Sequence, residues 1–83
     1  MKFAERDDIT AQEIITLKNF AINYNIKNGT NIKVTYPHDE EDDISFIQRY
    51  APIEDKMQYF KCNESSIKYG EDGRIISIAF VKK

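Results

Sequence analysis

Five consecutive carboxylates, Asp39, Glu40, Glu41, Asp42 and Asp43, follow His38 and form the densest chemical feature of this chain. Acids packed so closely can bind a cation, do acid–base work, attract a basic surface, or simply line a wet loop. A calcium loop needs oxygen ligands at alternate positions, Gly at the sixth and Glu at the twelfth. Counting from Asp39, the alternate positions hold Asp39, Glu41 and Asp43, but the sixth is Ile44 and the twelfth Tyr50, so the loop fails. Acid–base catalysis needs carboxyls driven apart in pKa by burial within a cleft. Five adjacent acids repel one another and give no reason for a dry pocket. The plainest reading is a solvated loop whose last acids, Asp42 or Asp43, cap the next element. The functional reading is a local negative patch that speeds encounter with a basic partner.

The other candidates are single residues. His38 and Cys62 are each unique. A nucleophilic Cys–His pair needs proximity and a depressed thiol pKa, which nothing in the spacing supplies. Cys62 therefore reads as a small, half-buried apolar residue and His38 as a loop residue. "GEDG" at Gly70 to Gly73 has the GxxG spacing of phosphate-gripping loops, but its acidic centre would repel phosphate. No dinucleotide fingerprint, P-loop or HExxH is present. Tyr36, Tyr50, Tyr59, Phe60, Tyr69 and Phe80 are mostly needed for a core in so short a chain. Any of them left on a sheet surface beside Lys33, Lys61 or Lys68 is placed to stack single-stranded nucleic acid.

The elements that position these residues are legible at both ends. Thr10 and Glu13 make a capping box, Ile9 and Ile14 are spaced as a hydrophobic staple, and Ile14, Leu17, Ala21 and Tyr24, with Ile22 beside them, form an apolar stripe. The spacing predicts a helix over 11–25, ended by the Asn-Gly turn at Gly29. "NIKVTYP" alternates strictly and predicts a strand that Pro37 stops. "SIKYGEDGRIISIAFVKK" predicts strand, tight turn and strand. The last strand is apolar on both faces, which marks it as central or covered on its second face. Residues 44–63 fit two orders, strand then helix or helix then strand. The first, with the helix opened by Pro52, keeps the loops shorter and is favoured here. Either way the class is α+β: a small antiparallel sheet of three to four strands packed against an N-terminal helix and a second helix.

Eighty-three residues make one domain, 1–83, with 41% apolar and 31% charged residues. Net charge is −2, too little to coat nucleic acid or an anionic membrane as a whole. The charge is polarised: residues 38–55 hold seven acids and one base, whereas residues 56–83 hold six bases and three acids. A single cysteine excludes an intrachain disulfide or a zinc knuckle, and no apolar leader or membrane-length run is present, so a cytoplasmic setting is expected. Asn28–Thr30 and Asn63–Ser65 then read as turns rather than glycosylation sites. Thirteen Ile and nine Lys against five Ala and three Gly suggest the AT-rich gene of a phage or mobile element. The sequence thus points to a non-enzymatic interaction or inhibitor protein needing no cofactor or metal. Asp39 to Asp43, with Tyr36 and Tyr50 as apolar anchors, would dock a basic protein surface such as that of a nucleic-acid-handling enzyme. The alternative is a single-stranded nucleic-acid-binding module using the basic, aromatic C-terminal sheet.

Overall fold

Thr10 opens the first helix as its surroundings require. Its hydroxyl accepts the Glu13 amide and its own amide donates to the Glu13 carboxylate, so two end groups are satisfied reciprocally. The computed structural model describes residues 6–83. They form helix α1 (Ala11–Asn28), strand β1 (Lys33–Thr35), helix α2 (Asp43–Arg49), strand β2 (Phe60–Cys62), a 3₁₀ turn over Glu64–Ser66, strand β3 (Lys68–Tyr69) and strand β4 (Ile75–Lys82). Helix α1 runs a turn further than its stripe predicts and stops at Gly29, whose left-handed φ of 64° suits a residue without Cβ. Beyond it, Asn25 locks the chain to β1. Its side chain donates to the Ile32 carbonyl and accepts the Ile32 amide and the Thr30 hydroxyl.

β4 is the centre of the sheet, as its two apolar faces imply. β1 pairs with it in parallel on one edge, and β2 and β3 pair with it antiparallel. Lys33 and Lys68 both register with Ser77, so they must approach β4 from opposite edges. The sheet is therefore mixed, which corrects the expected purely antiparallel arrangement. β1 is followed by α2 and a long excursion rather than a hairpin, and such a crossover is what parallel pairing needs. Ile9 extends the far side of the sheet by exchanging two hydrogen bonds with Phe60, of 2.7 and 3.1 Å.

Residues 44–63 correct the favoured order. The helix comes first, at Asp43–Arg49, and the strand second, at Phe60–Cys62. Two physical facts decide it. Asp42 accepts the Ser45 amide as an N-cap, and the helical period buries Phe46 while leaving Ile44 71% exposed. Phe60 and Cys62, two apart, are both buried, and the C-terminal half of β4 needs a partner for its edge hydrogen bonds. Pro52 opens no helix. Ile53 and Lys56 instead close a tight two-residue turn with reciprocal bonds of 2.9 Å.

The core lies between the helices and one face of the sheet. It contains Ile9, Ile14, Ile15, Tyr36, Phe46, Phe60, Ile78 and Phe80, with Cys62 at its margin. Phe46 is fully buried and sits at its middle. Its ring centroid lies 4.8 Å from Tyr36, 5.1 Å from Tyr50 and 5.9 Å from Phe60, the first two edge-on. Both staple residues, Ile9 and Ile14, are fully buried. Among the described residues, no helix is long and apolar enough to cross a membrane.

Candidate binding surface: the open face of the sheet

The acidic segment is largely consumed by the fold. Glu41 accepts Arg49 Nε at 2.7 Å and Nη2 at 2.6 Å, and lies 3.4 Å from His38 Nδ1. Asp42 caps α2, and the Ser45 amide holds its carboxyl below the usual range. Asp43 accepts Lys18 Nζ and Asn19 Nδ2 from α1. The Lys18 hydrogen bond, together with that of Asn19, lowers its pKa despite partial desolvation. Asp39 and Glu40 remain exposed in the turn, where His38 takes a left-handed φ of 59°. Tyr36 is buried against Phe46 and burial raises its phenol pKa. Tyr50 packs edge-on against Phe60 at 4.8 Å. Tyr36 is therefore a core residue, whereas Tyr50 is half-buried at the core's margin with its ring 6.3 Å from that of His38, at the foot of the acidic turn. Among the described residues no cluster of His, Cys, Asp and Glu is arranged to hold a metal. Burial pushes the Cys62 thiol up, with the nearby Glu64 charge adding to it, which suppresses the nucleophilic thiolate.

The opposite side of the molecule offers more. Residues paired across a ladder point to the same face. Lys33 and Lys68 register with Ser77, Thr35 with Ala79, Lys61 with Val81, and Tyr69 with Ile75. Lys33, Thr35 and Lys61 alternate away from the buried face, which is carried by Val34, Cys62, Ile78 and Phe80, and the irregularity between Lys68 and Tyr69 brings both of those consecutive residues into register with the same β4 row. The result is a shallow platform. Its floor is the β4 row Ile75, Ser77, Ala79 and Val81, and Lys33, Lys61, Lys68 and Tyr69 rise around it. All three lysines are exposed, and Tyr69 is 62% exposed. The strands contribute no carboxylate to this face, and the three lysines make no ion pair among the described residues.

Strand geometry sets the spacing. Lys33 and Lys68 sit two interstrand steps apart, roughly 10 Å, and Lys61 is four residues along β4, roughly 13 Å away. Arg74, also basic, belongs to the other side. It donates to the Tyr24 hydroxyl of α1 at 2.8 Å. Sequence reasoning named Lys33, Lys61, Lys68 and Tyr69 but could not collect them. The missing information was the register, which a β3 of only two residues hides, together with a bulge between Lys68 and Tyr69. No protein-family model, no curated protein and no solved structure matches the chain.

Proposed function

We propose that the protein is a non-catalytic binding module whose open sheet face receives a single-stranded nucleic acid. One observation carries this reading: three lysines without an ion pair among the described residues and an exposed tyrosine surround a floor of small and apolar β4 side chains that includes no acid. The lysines supply phosphate contacts. Tyr69 supplies a stacking ring, and the low floor lets bases lie flat. A duplex is a poorer fit, because the platform has no helix or ribbon to enter a groove. A reducing compartment belongs to the proposal, since the one thiol serves as packing.

Fluorescence anisotropy with a labelled single-stranded oligonucleotide tests it. Binding should weaken with salt with a logarithmic slope of about −2, as about three phosphate contacts on a single strand require. Replacing Lys33, Lys61 and Lys68 together with Gln should abolish it. Absence of binding at low salt would end this reading.

A second reading keeps the acidic turn as a handle for a basic protein. It is supported by the exposure of Asp39 and Glu40 at the tip of that turn. Glu41, Asp42 and Asp43 are engaged internally, so the handle narrows to two carboxylates. Asp39→Asn with Glu40→Gln should then eliminate capture of a basic partner from host lysate at both low and moderate salt. Unchanged capture by that variant would remove the idea.

A further inference from the structure

Helix α1 carries a second aromatic surface, outside the core. Phe20, Asn23, Tyr24 and Lys27 follow one another at three, one and three residues, so they share one face of the helix. Phe20 is 65% exposed, and its ring stacks on that of Tyr24, with centroids 6.2 Å apart and planes 28° from parallel. A groove of about 420 Å³ runs along the pair and is lined also by Asn23, Lys27 and Asn28. The helix sets the spacing of these groups. Tyr24 is held further, because it is half-buried and its hydroxyl accepts Arg74 Nη1 at 2.8 Å.

The charge here suits an anionic chain. Beyond Glu13, α1 contains no acid, whereas Lys27 is exposed and makes no ion pair among the described residues. It stands one turn from Tyr24, roughly 5 Å along the axis. A second copy packed on this face by two-fold symmetry would set its positive charge against itself.

Arg74 links the pair to the open face. It immediately precedes Ile75, which registers with Tyr69 at one end of that face. The Tyr24 hydroxyl is therefore one arginine side chain from the start of β4. Glu71 and Asp72 belong to the turn at this end, and Arg74 lies 3.6 Å from the Asp72 carboxylate, which it partly neutralises. A flexible single strand that leaves the open face at Tyr69 can turn round this end and reach Phe20.

We infer that Phe20 and Tyr24 form a second stacking site, which takes a base of the same single strand beyond the Tyr69 end of the open face. The base extends the stack on the exposed side of Phe20, and Lys27 meets a neighbouring phosphate. The inference rests on the strand-binding reading above.

The chain has no tryptophan, so Phe20→Trp creates a single reporter at the site. Unlabelled oligo(dT) of about twelve nucleotides, within the length range of such surfaces, is titrated into this variant at low salt. The indole emission should be quenched and should saturate at the concentration that anisotropy gives for binding. Phe20→Leu keeps an apolar side chain but removes the ring, and it should weaken binding of the same oligonucleotide about tenfold. Phe20 is exposed, so an unchanged thermal melt verifies that both variants fold. Binding seen by anisotropy without quenching, or parental affinity in Phe20→Leu, would overturn the second site while leaving the open face intact. A dimer of the free protein that Phe20→Leu dissolves would assign the ring pair to a second copy and also overturn it. No binding of the oligonucleotide by the parent would overturn both readings.

Discussion

Asp43 sits in the middle of the segment that sequence marks for an outside partner, yet its carboxylate bonds Lys18 and Asn19 and ties α2 to α1. Lys18 is twenty-five residues away, so no local pattern announces the bond. The Lys18 hydrogen bond holds the Asp43 carboxyl below its ordinary value of 3.8, and the Arg6 hydrogen bond holds Glu13 below 4.5. A depressed folded pKa stabilises the protein in full above the unfolded pKa and loses that contribution as pH falls through the folded value. Urea midpoints should therefore stay level from neutrality to about pH 5 and decline below about pH 4. Asp43→Asn should lower the neutral midpoint and flatten part of that acid decline. An acid profile identical to the parent's would show that the Lys18 bond is not formed. The chemistry of single residues was thus legible by type, whereas which acids were spoken for was not. Cys62 was legible in both respects. Its buried, raised-pKa thiol should alkylate far more slowly in the native protein than in urea, measured by mass shift with iodoacetamide.

Among the elements, those with local punctuation were legible and those fixed by distant pairing were not. The capping box places the start of α1 from sequence alone. Thr10→Ala should cost about 1 kcal/mol, read by urea denaturation, because the Glu13 amide loses its capping hydroxyl. The stretch between α2 and β2 had helix-like punctuation in Pro52, Glu54 and Asp55, but it forms a tight turn with two consecutive left-handed residues. Glu54 has φ 51° and Asp55 has φ 64°. Glu54 is ill suited to that conformation and Asp55 tolerates it less well than a glycine would, whereas an Asn-Gly pair suits both positions. Glu54→Asn with Asp55→Gly should therefore raise stability by about 1 kcal/mol and increase the melting temperature. A fall on the same assay would contradict the turn and revive the helix over 52–63. β2 itself, three residues long, has no strand signal strong enough to outweigh that punctuation. The free edge of β4 selects it.

Taken whole, the molecule has two unlike sides. Helices and aromatics fill one face of the sheet around Phe46, and Phe46→Ala, at a cost of about 3–5 kcal/mol, should leave so small a domain close to unfolding. The other face is left to Lys33, Lys61, Lys68 and Tyr69. Class and central strand were readable because β4 is apolar on both sides. The grouping of lysines and Tyr69 on the open face was not, because it exists only after β1, β2 and β3 dock in register. The parallel register of β1 places Lys33 beside Ser77, and a shift of one residue would turn Lys33 into the core. The central claim, that a single strand lies across this face, is tested most directly by mapping backbone amide shifts as an unlabelled single-stranded oligonucleotide is titrated into isotope-labelled protein. The account predicts that the largest changes cluster at Lys33, Thr35, Lys61, Lys68, Tyr69, Ser77, Ala79 and Val81. Changes confined to the helices or to residues 38–43, or no changes at all, would contradict it.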